Sequence, residues 1–187
     1  AGIFSTNPFS FGFPAGDHPD VMIDFATSAI AGGKVMVARA KHEPVPSGSL
    51  LDKDGNPTTN PEAYFNGGML LPFGGHKGSA LAVLSTLLSH VLIPTSDNDP
   101  EGMLTGTFIL AIDSGLFRDR SAVEVEADQV LAKINAVPPA TGFSKVLAPG
   151  EPEVQAAEKR SKEGIPVAED TWAEIKAAGE SVGVTVG

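Results

Sequence analysis

A glycine-rich turn running straight into an apolar helical pattern constrains this chain more than any other stretch. Pro72-Phe73-Gly74-Gly75-His76-Lys77-Gly78-Ser79-Ala80 is followed by Leu81, Leu84, Leu87, Leu88, Val91 and Leu92 at helical spacing. The pattern predicts a helix that begins near Lys77 or Gly78. The first amides of a helix have no intrahelical acceptor, and glycines let a ligand approach the main chain. The helix dipole adds a positive field, so such a turn suits an anion such as a phosphate. Lys77 would add a full charge, and His76 a ring able to stack or donate. The spacing fits neither the P-loop nor the Gly-x-Gly-x-x-Gly fingerprint. The plainer reading stands beside this one: a turn that packs a helix and binds nothing.

Composition narrows the partners. The 187 residues suffice for one domain with a sizeable core, alone or with a small appendage. A formal net charge of −10 argues against a nucleic-acid partner, and it means that any anion needs a locally positive pocket such as Lys77 supplies. There is no cysteine, which excludes disulfides, thiol catalysis and cysteine-ligated zinc. No apolar run is long enough to span a bilayer, so no membrane association is expected, and no signal peptide is visible. The chain opens Ala1-Gly2 without methionine and enters strand-like sequence at once, which points to a cleaved or truncated protein.

In chain order, Phe9, Phe11 and Phe13 alternate with small residues, as in a strand with one buried face. The run from Asp20 to Phe25 is a second short strand, and the two can form a hairpin. Asp24 either caps the turn that follows or serves as a carboxylate that orients a base or holds a ligand. Residues 30–41 are helix-compatible. Residues 42–67 are rich in proline and glycine and read as a long irregular loop, with a strong turn at Asp52-Lys53-Asp54-Gly55-Asn56-Pro57. That acidic run lacks the glutamate a calcium loop needs. A solvated turn is expected at Ser96–Pro100 and a central strand at Thr107–Ile112. Helices are expected over 123–137, ended by Pro138-Pro139, over 153–164 with a Glu158–Lys162 pair, and over 170–180 with Trp172 and Ile175 facing the core. His18 and His42 read as solvated and His90 as a core histidine, which leaves His76 in a plausible pocket. No histidine pair has metal-binding spacing. Interleaved strands and helices without a Rossmann rhythm give an α/β class with a mixed, partly antiparallel sheet flanked by helices.

Several short motifs occur in order: Thr6-Asn7-Pro8, Ile23-Asp24-Phe25-Ala26-Thr27-Ser28, Asp54-Gly55-Asn56-Pro57-Thr58-Thr59, Gly74-Gly75-His76-Lys77-Gly78 and Pro149-Gly150-Glu151-Pro152. Together they resemble the malate/L-lactate dehydrogenase family of non-Rossmann nicotinamide enzymes, whose relatives include ureidoglycolate, sulfolactate and diketogulonate dehydrogenases and cyclic-imine reductases. The resemblance runs along essentially the whole chain. It implies the L-sulfolactate dehydrogenase-like fold, NAD or NADP as cofactor, and hydride exchange with a 2-hydroxy acid, a 2-oxo acid or a cyclic imine. It implies a cytoplasmic homodimer. By motif, Asp20, Val21, Met22, Ile23, Asp24, Phe25 and Ala26 would line one side of the cofactor, His76 and Lys77 would meet it at the glycine turn, and Gly150, Glu151 and Pro152 would contact it from the late turn. Thr6 is a candidate substrate contact, and Asp24 a candidate orienter of a catalytic histidine.

That histidine departs from the family pattern. The family places it in an N-terminal Ser-His-Gly motif followed by an arginine suited to a substrate carboxylate, and this chain contains no Ser-His-Gly. Ser5 stands where a glycine is usual before Thr-Asn-Pro. The chain therefore resembles the C-terminal half of a family member, with the missing N-terminal segment as a required partner. On this reading residues 1–145 form a cofactor-binding sheet domain that is incomplete at its N-terminus, and residues 146–187 a helical segment packing on the missing region. The rival expectation is a truncated, non-catalytic member whose glycine turn serves packing or assembly.

Overall fold

A computed structural model describes Phe4, residues 6–92 and residues 106–185. The turn expected at 96–100 lies outside the described residues. Among those described, six α-helices accompany five short strands in a mixed α/β arrangement. They form two compact units, one of Ala1–Pro8, Phe25–Thr107 and Pro166–Gly187, the other of Phe9–Asp24 and Phe108–Ile165.

The first unit is built around a three-stranded antiparallel sheet of β3 (Leu50–Leu51), β4 (Pro57–Thr58) and β5 (Met69–Leu70), with β3 in the middle. Leu50 stands opposite Thr58 on one side and Leu70 on the other. The turn expected at 52–57 joins β3 to β4, the Asp52 carboxylate accepting the amides of Asp54 and Asn56, both at 2.9 Å. The chain after β5 keeps pairing. The Leu71 amide donates to the Ser49 carbonyl, the Ala29 amide to the Leu71 carbonyl, the Phe73 amide to the Thr27 carbonyl and the Thr27 amide to the Thr6 carbonyl. Residues 69–73 are thus clamped between 49–51 and 27–29. The core is Val35, Val45 and Leu50, with Ile30, Ala38, Ala63, Tyr64 and Leu70 packed against it. Val35 comes from α1 (Gly32–Ala40), and Ala63 and Tyr64 from α2 (Glu62–Phe65).

This corrects the reading of 42–67 as an irregular loop: the stretch supplies two strands, α2 and two of the three core residues. Strands two residues long are too short to show a period, so the pattern was invisible along the chain.

α3 (His76–Thr86) starts where the glycine turn predicts and continues into a single π turn, Leu87–Val91, in which the Leu92 amide reaches back to the Leu87 carbonyl. Its buried side is the small-residue side, Gly78, Ala82 and Ser89, while Leu84, Leu87 and Val91 stay largely exposed. Asn7, held at a φ of 35°, fastens the early segment to this helix: its side-chain amide donates to the Ala82 carbonyl and to Thr86 Oγ1. α6 (Glu169–Ser181) packs against α1. Trp172 and Ile175 are more than a third exposed rather than in the core, and Lys176 lies over the indole at 5.7 Å.

In the second unit β1 (Phe9–Phe13) pairs with β2 (Val21–Phe25), whose last residue belongs to the first unit. Phe11 and Phe13 are about half exposed, so the expected buried face is not covered among the described residues. α4 (Arg120–Asn135) is capped by Asp119, whose carboxylate accepts the Ala122 amide, and α5 covers Glu151–Glu163. The ion pair along α5 joins Lys159 to Glu163. Residues 107–112 form no strand among the described residues, and Ile109, Leu110 and Ile112 are well exposed. Apolar content signals a tendency to burial without naming the neighbour that would cover it. No helix among the described residues is long and apolar enough to cross a membrane.

Candidate functional site

The glycines of the central turn do two different jobs. Gly74 and Gly75 adopt φ values of 54° and 59°, a backbone region that disfavours a side chain. A Cβ on Gly75 would meet nothing within 4 Å, so open space lies above that residue. Gly78 is the opposite case. A Cβ there would stand 2.5 Å from the carbonyl oxygens of Phe73 and Thr27, and 2.8 Å from the Phe73 nitrogen. Gly78 therefore lets α3 settle directly on the paired main chain of 27 and 73.

The amides divide in the same way. Those of Lys77 and Gly78 turn inward, to the carbonyls of Gly74 and Phe73 at 3.3 and 2.9 Å. Those of Gly74, Gly75 and His76 make no hydrogen bond among the described residues, and residues 74–77 are exposed. No side chain caps the helix N-terminus. The Lys77 ammonium and the His76 ring share this exposed rim. Exposed, unpaired amides at a helix N-terminus beside a cation are what an anionic group requires.

Two further clusters involve the predicted residues. In the first unit, Phe25 meets Phe73 edge-on at 5.6 Å, and Ala26 precedes buried Thr27, whose carbonyl accepts the Phe73 amide. Phe25 and Ala26 thus sit at the base of the glycine turn. Thr6 lies one segment away, its carbonyl accepting both the Thr27 amide and the Thr27 hydroxyl. In the second unit, buried Gly150 (φ 99°) presses on the start of β2: a Cβ there would be 2.8 Å from the Asp20 carbonyl and 3.1 Å from the Met22 nitrogen. Asp20 itself accepts the Ala15 amide at 3.0 Å. Val21 is half-buried, whereas Met22, Ile23 and Asp24 are exposed. The Asp24 carboxylate makes no hydrogen bond or ion pair among the described residues, so it does not act as the cap that the local sequence allowed. Pro152 is exposed in the first turn of α5, and Glu151 is half-buried.

Sequence reading missed Asp128. From α4 its carboxylate accepts the amides of Gly16, Asp17 and His18 and contacts the His18 ring at 3.1 Å. The Asp17 and His18 amides hold its carboxyl below the usual carboxylate range. His18 is accordingly part-buried and partnered rather than solvated. Nothing in the local sequence marks an aspartate in a helix as the organiser of a loop more than a hundred residues earlier. His42 is exposed as expected, at the end of α1 with φ 55° and 3.4 Å from Asp170.

Small antiparallel sheets flanked by helices, a glycine turn opening one helix and, among the described residues, no Rossmann crossover define a non-Rossmann α/β class. A solved sulfolactate dehydrogenase from Methanocaldococcus jannaschii has this fold, with a TM-score of 0.67 and 29% identity over 95% of this chain and 53% of that one. The chain belongs to the malate/L-lactate dehydrogenase family, whose model matches residues 1–176. Among curated relatives, it is 37% identical to the malate/(S)-sulfolactate dehydrogenase of Methanothermus fervidus, covering 87% of this chain and 48% of that protein. It is 35% identical to a Δ1-pyrroline-2-carboxylate/Δ1-piperideine-2-carboxylate reductase of Pseudomonas putida, covering 93% and 52%. The chain spans about half the length of the curated relatives it matches.

Proposed function

We propose that this chain is the dinucleotide-binding portion of an oxidoreductase that exchanges a hydride between NAD or NADP and a small 2-hydroxy acid, 2-oxo acid or cyclic imine. One observation supports this most: within a dehydrogenase-family chain, the amides of Gly74, Gly75 and His76, unbonded among the described residues, lie exposed beside Lys77 at the mouth of α3. They suit a pyrophosphate, with Lys77 offsetting its charge in a protein of net charge −10. The bound nicotinamide would supply the hydride chemistry. The positive-φ glycines leave room for it, and Phe25 and Ala26 brace the turn from below. On the same reading, residues 20–24 and the Gly150 main chain are further cofactor contacts within the second unit. Asp24, unpartnered among the described residues, would orient an acid–base histidine supplied by the family length outside this chain, and residues 146–187 would pack against that length. Thr6 stands as a substrate-side contact. Assembly as a homodimer in the cytoplasm belongs to the same proposal.

The test joins or co-expresses the chain with the remaining family length. NADH or NADPH oxidation should then appear with some member of a broad 2-oxo acid and cyclic-imine panel. Lys77→Ala should weaken dinucleotide affinity about tenfold, as loss of a charge-assisted contact does. Absence of turnover across the panel and of any change in dinucleotide fluorescence would favour the rival reading, a non-catalytic module whose glycine turn only packs α3.

A further inference from the structure

The late turn carries a carboxylate whose oxygens are already engaged. Glu151 is the first residue of α5, where an acidic side chain ordinarily serves the helix's own free amides. Instead, Asn135 Nδ2 donates to both of its oxygens at 2.9 Å, and the Ala148 amide donates to Oε2 at 2.7 Å. Asn135 is the last residue of α4, so the contact ties the end of one helix to the start of the next. The Asn135 amide group thus turns its nitrogen to this carboxylate, equally close to both oxygens. Its carbonyl Oδ1 is left fully buried and without a partner among the described residues. An orphaned buried acceptor costs free energy, so the rest of the arrangement must hold the asparagine in place. The Ala148 amide, followed by the Asn135 amide, holds the Glu151 carboxyl below the usual carboxylate range. One residue earlier, the Gly150 main chain is pressed against Asp20 and Met22, too closely for any Cβ.

We propose that Glu151 is a positioning residue rather than a cofactor contact: its carboxylate latches the end of α4 to the 148–151 turn, and so sets how closely the Gly150 main chain approaches the Asp20–Met22 edge of the dinucleotide site. The inference rests on the dinucleotide reading above and deepens it. The chain meets the cofactor through the Gly150 backbone, and the side chain next to it acts from behind.

Steady-state kinetics with NADH or NADPH, on the chain joined to the remaining family length, test this. Glu151→Ala should raise the dinucleotide KM about tenfold while kcat changes less than about twofold, because a hydrogen-bonded charge is lost behind the site and not in it. Asn135→Ala, which leaves the Ala148 bond intact, should raise KM about threefold. Glu151→Gln should restore KM to near wild type. Its carbonyl can keep the Ala148 amide, and the Asn135 amide can turn so that Oδ1 accepts from the new side-chain amide. In the 187-residue chain itself, Glu151→Ala should speed hydrogen exchange at the Ala148 amide. An unchanged KM in the alanine variants would overturn the latch. So would a Glu151→Gln variant as impaired as Glu151→Ala, since the charge itself would then be what the cofactor needs. If Glu151→Ala fails to fold, Asn135→Ala decides. A wild-type protein with neither turnover nor dinucleotide fluorescence removes the dinucleotide reading, and the latch falls with it; a wild-type protein that binds while the variants bind equally well removes the latch alone.

Discussion

Replacing a helical glycine by alanine should act with opposite signs at two places in the first unit. In an open helical position, Gly→Ala stabilises by up to about 1 kcal/mol, because it removes backbone freedom from the unfolded chain. Gly33, in the first turn of α1, is such a position, since a Cβ there meets nothing within 4 Å. Gly78 is equally helical, but its Cβ would lie 2.5 Å from two carbonyl oxygens, those of Phe73 and Thr27. Neither oxygen can step aside, for each is part of a hydrogen-bonded main chain: Phe73 accepts the Gly78 amide and Thr27 accepts the Phe73 amide. α3 must therefore retreat by roughly 0.5 Å or more, in an interior that is close-packed. Overpacking of this kind costs about 1–3 kcal/mol. Taking ~3 kcal/mol for two simultaneous main-chain clashes and subtracting ~1 kcal/mol of helix propensity, Gly78→Ala should lose ~2 kcal/mol. The assay is urea unfolding of the 187-residue chain followed by circular dichroism. With a slope of about 2 kcal/mol per molar, the midpoint should fall by about 1 M for Gly78→Ala and rise slightly for Gly33→Ala. A Gly78→Ala variant as stable as Gly33→Ala would refute the close approach of α3 to residues 27 and 73. The geometry proposed for the free amides would fall with it, because the same approach sets where they lie.

Other outcomes follow from the same structure. Leu50→Ala should destabilise the first unit by about 2–5 kcal/mol in the same unfolding assay, since Leu50 is completely buried in its core. The second unit should weaken in acid through Asp128. Its folded-state pKa is depressed, so its contribution is fully present above the unfolded value of about 4 and is lost as pH falls through the lower folded value. Asp128→Asn should flatten that acid limb of the pH–stability curve, and should speed exchange at the Asp17 amide, which binds the second carboxylate oxygen at 2.7 Å.

Much of the outline was legible along the chain because it rests on local rules. The helix after the glycine turn, the break at Pro138-Pro139 and the Asp52 turn are each dictated by residues within a few positions of one another. The family motifs were legible too, and the family model matches over the stretch that carries them. Where expectation failed, a distant partner decides. The run 107–112 has strand composition, yet no strand forms there among the described residues. His18 sits in a polar turn and still is part-buried, because a helix more than a hundred residues later offers it a carboxylate.

The amino-acid sequence alone therefore determined the class, the family and the location of the glycine turn, since composition, period and motif are properties of neighbouring residues. Only the tertiary structure decided which amides of that turn are free, which of its glycines serve packing and which serve space, and that Glu151 faces Asn135. These depend on close approaches between segments remote in sequence, where tenths of an ångström separate a contact from a collision and no local pattern records the difference.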